Sequence, residues 1–289
     1  MRWGQRLWLL EVYKLQNTNI EKDYIDLLKS ALMGCLENTC YNEVGAGKKS
    51  GIKKALQTIL KFILPKNTKL IKLSKGNIEE RQFRSDSTFN AYTLIGYKRL
   101  QFLEESVKEI AFKKIEGDIL EAGLWRGGAS IFIKKMMDVV GLSNQLFCAD
   151  SFEGMPKPKL KADLDSLDGD YSKIGFFTVE LEKVIENFKS FNALDSQVHF
   201  VKGWFSETMP LLKEKIKKIS LLRVDCDLYE STHDVLVNMY DKVSEGGFVY
   251  IDDYGSWEGC RRAVDEFRLA QSINQPLVTV DRDSVYWNK

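Results

Sequence analysis

Neither sign of charge dominates this chain: 42 basic residues stand against 41 acidic ones, for a net charge of +1. That balance argues against a dedicated nucleic-acid binder, whose phosphate-facing surface needs a basic excess. Cysteine is sparse as well. Cys35, Cys40, Cys148, Cys226 and Cys260 are odd in number, scattered, and form no CxxC pair. The pattern speaks against a disulfide framework or a zinc site and suits a reducing, cytosolic compartment. Cys148 and Cys226 fall inside apolar strand-like runs, where a thiol behaves as a small hydrophobe. No apolar run approaches the length of a membrane span. The opening MRWGQRLWLLEVYKL resembles a signal sequence only briefly, because Glu11 and Lys14 interrupt it and no small-residue cleavage site follows. A soluble, cytoplasmic protein is expected. Its 289 residues suffice for one large core, or for one domain with a sizeable appendage.

What is present divides near residue 115, into an N-terminal, largely helical region (1–114) and a second unit (115–289). In the second part short apolar runs alternate with amphipathic helical patterns, the signature of an α/β parallel sheet. Strands are expected at GDILEAGL (117–124), QLFCADSF (145–152), QVHFVKG (197–203), SLLRVDCDL (220–228) and GFVYIDDY (247–254). Helical patterns follow them in ASIFIKKMMDVV, VELEKVIENFKSF, ETMPLLKEKI, ESTHDVLVNMYDKV and GCRRAVDEFRLAQ. Near the end, PLVTV (276–280) and SVYWNK (284–289) are separated only by Asp281, Arg282 and Asp283. A connector that short makes a hairpin and cannot be a parallel crossover. Five parallel strands finished by an antiparallel hairpin describe a class I methyltransferase sheet, Rossmann-like but distinct from the all-parallel dinucleotide-binding form.

Upstream, YIDLLKSALMGCLEN (24–38) and STFNAYTLIGYKRLQFLEESVKEIAF (87–112) read as amphipathic helices, and NTCYNE also reads as helical. Residues 44–78 hold nine lysines and no acidic residue. Within them GIKKALQTILKFILP places Ile52, Leu56, Ile59, Leu60, Ile63 and Leu64 along one helical face. One reading of the stretch 48–75 is contact with a membrane surface or with phosphorylated substrates. The other is a helix packed on the domain or a partner subunit with its lysines solvated, and the neutral surroundings favour it.

The sharpest chemical signal is a pair of acidic strand ends. LLRVDCDLYEST (221–232) stops in Asp225 and Asp227, and GGFVYIDDYG (246–255) stops in Asp252 and Asp253. Carboxyl ends of neighbouring parallel strands open onto the ligand crevice. Carboxylates facing one another there repel unless a cation sits between them, and oxygen donors suit a hard ion such as Mg2+. A single Asp at such a place is an ordinary cap or turn residue; two clusters favour metal.

EAGLWRGGAS (121–130) follows the first strand and opens the first helix, where α/β folds bind an adenosine-containing cofactor. It lacks GxGxxG. Gly123 and Gly127 would let backbone pass close to a ligand. Glu121 repels a phosphate but suits a cation such as the amino group or sulfonium of S-adenosylmethionine. Asp150, ending the second strand, could accept from both ribose hydroxyls. After the third strand, Gly203, Trp204, Phe205 and Ser206 offer an aromatic to stack on a purine and a hydroxyl for its edge, although core packing alone also explains the aromatics. His199 and His233 read as structural. Arg126 and Lys157 are candidates for an anionic group on the substrate, or plain surface charges.

At these residues the chain resembles the macrocin O-methyltransferase family, through GDILEAGLWRGGASIF, CADSFEGMPKP, VHFVKGWFSETMP, LLRVDCDLYEST, GGFVYIDDYG and CRRAVDEFR, with looser matches in YIDLLKSALMG and AYTLIGYKRL. The resemblance implies S-adenosylmethionine as methyl donor, Mg2+, a sugar hydroxyl as acceptor and a homo-oligomeric assembly. Carried over, it implies Asp225, Asp252 and Asp253 as metal ligands. Donor contacts would come from Thr93, Leu94, Glu121, Gly123, Gly127, Asp150, Ser151, Gly203, Trp204 and Phe205. Cys226 stands between the two strand-end aspartates where the family usually has glycine or valine. Asn42 replaces an acid, with Glu43 beside it as a substitute, and the basic stretch 44–78 looks like an insertion. Leu228 stands where catechol-type enzymes place a lysine, so no lysine base is supported there. For catalysis Asp225 is ligand and possible base, with Asp227 as alternative. The competing readings are a nucleotide-dependent oxidoreductase on a related sheet and a non-catalytic binding module that keeps the fold.

Overall fold

The computed structural model describes residues 19–43, 65, 68, 70–159, 163 and 175–289. The signal-like opening (1–15) and the expected basic helix in GIKKALQTILKFILP fall outside these residues, apart from Pro65, as does most of the stretch 160–174.

The apolar runs form a single seven-stranded sheet in the order β5-β4-β3-β6-β7-β9-β8. Its strands are β3 (Asp118–Ala122), β4 (Leu146–Asp150), β5 (Val198–Lys202), β6 (Ile219–Val224), β7 (Val243–Ile251), β8 (Val278–Thr279) and β9 (Val285–Asn288). β3 to β7 pair in parallel, while β9 runs antiparallel to both β7 and β8. The strand order reverses between β3 and β6, and this topological switch point is where such sheets hold ligands. β6 is buried along its whole length, as expected of a strand covered on both faces.

Side chains alternate between two cores. Ile119 and Leu221 face the cluster built with α1 (19–32), α3 (Tyr97–Lys113) and α4 (Gly128–Val140). Leu120, Leu222 and Val249 face the cluster built with α6 (Phe205–Lys215), α7 (Tyr229–Met239) and α8 (Glu258–Ala270). The short α2 (Ile78–Arg81) precedes α3, and α5 (Leu181–Ser190) follows β4. No helix among the described residues is long and apolar enough to cross a membrane. All five cysteines are buried and unpaired.

The N-terminal part departs from its sequence reading in two places. Residues 39–43 are not helical: they form β1 (Thr39–Glu43), which pairs antiparallel with β2 (Ile71–Lys75). Thr39, Cys40 and Tyr41 are residue types that fit a pleated surface better than a helix. Helix α3 begins at Tyr97, with Gly96 as its N-cap, and not near residue 87. The carbonyls a helix would use internally are taken by a neighbour: Arg126 donates to the carbonyls of Thr88 at 3.0 Å, Phe89 at 3.0 Å and Ala91 at 2.7 Å. Gly128 N–H donates to Tyr92 O at 3.0 Å, and the N–H groups of Tyr92 and Thr93 donate to Leu32 O. Arg126 is therefore not a free surface charge: it locks the loop 87–96 over the head of α4. Asn42 is structural too, with its amide bonded to Asp86 O and to the backbone and hydroxyl of Thr88.

Phe102 fastens α3 to the sheet by stacking on Tyr250 of β7 at 4.9 Å and packing on Tyr286 of β9 at 4.6 Å. Phe102→Ala is expected to cost about 3–5 kcal/mol in urea denaturation, and a loss below about 1 kcal/mol would contradict this role.

Candidate active site

Register brings the charged residues of the switch point into one row. Glu121 of β3 lies opposite Cys148 of β4 on one side and Arg223 of β6 on the other. Arg223 lies opposite Tyr250 of β7, and Tyr250 opposite Tyr286 of β9. All point to the α3–α4 face. Arg223 is fully buried. Its Nη1 donates to Glu121 and to Asp225 Oδ2 (2.8 Å), and its Nη2 to Asp252 Oδ1 at 2.6 Å. Glu121 also accepts from Ser130 of α4. The carboxylate expected to face a cationic ligand thus already holds an internal cation, although it still lines the cavity.

A second guanidinium enters from α3. Arg99 donates to Asp252 Oδ2, to Asp281 at 2.8 Å and to Asp283 at 3.0 Å. It thereby ties the turn of the C-terminal hairpin to the end of β7. Tyr250 O–H adds a bond to Asp252 Oδ1 at 2.9 Å. Both oxygens of Asp252 are oriented by these donors, an arrangement typical of the shell behind a metal ligand. Sequence reasoning missed Arg99 and Arg223. Arg223 carried a readable signal: a charged residue inside the apolar run SLLRV must have a buried partner.

Above this row the carboxylates converge. Asp225, Asp252 and Asp253 each present an oxygen, and these atoms lie within 4.8 Å of one another. Asp253 Oδ2 is buried with no hydrogen-bond partner among the described residues. Burial, followed by repulsion from Asp227, Asp225 and Asp252, pushes the Asp253 carboxyl well above its ordinary range. Asp227 is raised in the same way, by burial and then by Asp225 and Asp252. Burial and Asp252 raise Asp225 against the pull of Arg223. Burial also works against ionisation of Asp252, yet Arg99 and Arg223 pull it below the usual carboxylate value. Glu121 is pushed up to about 7 by burial, with Arg223 and Ser130 opposing. An all-oxygen donor set with uncompensated negative charge and an orphaned ligand atom fits a hard divalent ion.

One cavity joins these carboxylates to the other expected contacts. Thr93, Leu94, Gly123, Asp150 and Ser151 line it, as do Gly203, Trp204, Phe205 and Asp227. Gly127 is not among the lining residues; a Cβ there would meet Val184 and Phe188 of α5 at 3.0 Å, so its place is in helix packing. Gly123 earns its glycine by close approach: at φ +93°, a Cβ would fall 1.7 Å from the backbone oxygen of Asp225, where β3 and β6 diverge. Asp150 is held by the N–H groups of Leu124 and Phe152, each at 2.7 Å, while burial raises its carboxyl. Trp125 (φ 51°) and Asp227 (φ 59°) both adopt left-handed backbone at the cavity wall, a conformation that Asp tolerates but that is costly for a bulky residue such as Trp and is concentrated at functional sites. Two predicted structural residues lie elsewhere: His199 stacks on Phe147 at 5.1 Å, and His233 on Tyr229 at 5.8 Å.

The chain has informative relatives. A family model described as macrocin O-methyltransferase (TylF) matches residues 21–289. The demethyldecarbamoylnovobiocin O-methyltransferase of Streptomyces niveus is 39% identical over 217 residues, covering 73% of this chain and 80% of that protein. A second relative, from Streptomyces olivaceus, is named as the 4'-O-methyltransferase of 8-demethyl-8-(2,3-dimethoxy-alpha-L-rhamnosyl)-tetracenomycin C. It is 39% identical over 201 residues, covering 68% of this chain and 75% of its own. Among solved structures, the O-methyltransferase NovP superposes with a TM-score of 0.74 at 32% identity, over 93% of this chain and 98% of that one.

Removing Arg223 leaves three carboxylates facing one another without their shared cation. Arg223→Met is expected to destabilise the fold by about 3–5 kcal/mol in denaturant titration; an unchanged midpoint would mean that the buried cation is dispensable.

Proposed function

Because the chain belongs to the macrocin O-methyltransferase family, and is thus an O-methyltransferase, we propose that it moves a methyl group from S-adenosylmethionine to a sugar hydroxyl, with Mg2+ held by Asp225, Asp252 and Asp253. The acceptor would be a glycoside, a polysaccharide or a glycosylated natural product. The observation that carries this reading is the single cavity that has the three clustered carboxylates at one end and Asp150, Ser151 and Trp204 at the other. The rhamnosyl group in the name of the Streptomyces olivaceus relative supports a sugar as acceptor.

Bound S-adenosylmethionine supplies an electrophilic methyl group, and Mg2+ supplies a Lewis acid that lowers the pKa of an acceptor hydroxyl. The protein's part is placement and proton handling. Thr93 and Leu94, carried by the loop that Arg126 fixes, face the donor end together with Gly123, Asp150, Ser151 and the Gly203–Phe205 segment. Bringing donor and acceptor into line can supply roughly 7–11 kcal/mol in favourable cases. Asp225 already accepts from Arg223, whereas Asp227 faces the cavity without a guanidinium partner among the described residues. Metal ligation is therefore assigned to Asp225, a member of the three-carboxylate cluster, and the proton to Asp227, which lines the same cavity outside that cluster.

Calorimetry is expected to show binding of S-adenosylmethionine and not of NADH. Methyl transfer should appear on a panel containing methyl α-L-rhamnopyranoside and demethyldecarbamoylnovobiocin, and stop with EDTA. Binding of NADH alone, or turnover indifferent to chelation, would contradict the proposal. Asp225→Asn should lose Mg2+ affinity while keeping that for S-adenosylmethionine. Asp227→Asn should keep both affinities and lower kcat by about 10²–10⁴-fold; a fall in donor affinity instead would reassign the residue.

A further inference from the structure

A carboxylate from the connection between β4 and α5 sits in a niche shared by two helix N-termini. Asp163 is 1% exposed. Its Oδ1 accepts a hydrogen bond from the backbone N–H of Tyr229, the first residue of α7, at 3.2 Å. The same oxygen lies 1.6 Å from the position a Cβ would take on Gly259 in the first turn of α8, and the Tyr229 nitrogen is 3.1 Å from that position. Any side chain at residue 259 would claim the space the oxygen fills. The positive ends of two helix dipoles meet there, and a carboxylate is the group they favour. A second attachment points the same way: Lys159 Nζ pairs with Glu230 Oε2, also in the first turn of α7, at 3.1 Å. That pair is exposed and weak, so the buried carboxylate is the anchor.

The connection has no topological need to travel so far. β3 separates β4 from β6, and β3 and β6 together separate it from β7, while strand-to-helix connections in α/β folds usually take about 2–6 residues. Here the chain leaves β4 at Asp150 and lines the cavity with Met155 and Pro156. Asp163 docks on the helices that follow β6 and β7, and Phe177 again lines the cavity. Beside that return, Phe176 O accepts from the Trp125 indole N–H at 2.9 Å. The docking point lies on the side of Asp225, Asp227, Asp252 and Asp253, away from the β3–β4 side assigned to the donor.

We infer that Asp163 is a positioning residue for the acceptor: seated between Tyr229 and Gly259, it fixes the cavity wall of Met155 and Pro156 relative to the carboxylate cluster, and Gly259 exists to make its seat. The acceptor's identity rests on the proposed methyl transfer; the docking does not.

The test compares Asp163→Ala and Gly259→Ala with Asp163→Asn, which keeps an oxygen for the Tyr229 N–H, after each variant is shown to unfold cooperatively. Both alanine variants should speed hydrogen exchange of the amides from Glu153 to Lys159 by about tenfold, leave affinity for S-adenosylhomocysteine unchanged, and raise KM for the best glycoside of the panel by about tenfold at unchanged kcat, or about 1.4 kcal/mol. Asp163→Asn should stay close to the unaltered protein in all three. Unchanged exchange in both alanine variants overturns the inference. So does a loss of S-adenosylhomocysteine affinity as large as the loss for acceptor, which marks general damage. Should no glycoside be methylated, the exchange and S-adenosylhomocysteine measurements decide alone, so a failure of the functional reading is visible separately.

Discussion

The buried guanidinium of Arg223 is the constraint around which the cavity is organised. Taking an arginine out of water costs several kcal/mol unless carboxylates receive it with good geometry. Here Glu121 in β3, Asp225 just past β6 and Asp252 just past β7 receive it. The dependence is mutual. Three acids on adjacent strands could not share one sheet face without that cation, and the parallel register that sets Glu121 opposite Arg223 also sets the spacing of the acids above them.

Arg99 extends the same logic to the parts of the chain that are distant in sequence. It reaches from α3 to Asp252 and onward to Asp281 and Asp283, so α3, the C-terminal hairpin and the end of β7 are held to one another through charge. The two guanidiniums lie beneath the carboxylates and compensate mainly Glu121 and Asp252. Among the described residues Asp227 and Asp253 have no guanidinium partner and Asp225 has one bond from Arg223; all three lie at the mouth of the switch point. Fold stability and the proposed cation site therefore draw on one charge arrangement, with the arginines below and the acids of the cavity above.

Much of this was legible in the sequence, for physical reasons. Strands covered on both faces must be continuous apolar runs, so β3 to β7 stand out, and the three residues between PLVTV and SVYWNK leave no choice but a hairpin. Asp225, Asp252 and Asp253 were visible because acids that end apolar runs must open on water or on a cation. The loop 87–96 was hidden because Leu94 and Ile95 continue the apolar spacing of α3, while the groups that divert the backbone are distant in sequence: Arg126 on the carbonyls of Thr88, Phe89 and Ala91, and Leu32 O on the N–H groups of Tyr92 and Thr93. β1 was missed because five residues carry too little periodicity to separate strand from helix. Asp163 had no local signal at all, since its partner is a backbone N–H reached by long-range docking. Gly259, a glycine in the first turn of an otherwise ordinary helix, was the trace it left in the sequence.

The most direct test of the central claim is anomalous diffraction from crystals soaked in Mn2+, a stand-in for Mg2+ that scatters strongly. The account requires one strong peak bounded by carboxylate oxygens of Asp225, Asp252 and Asp253. Manganese bound only elsewhere, or a cluster in which the three side chains turn away from any ion, would contradict it.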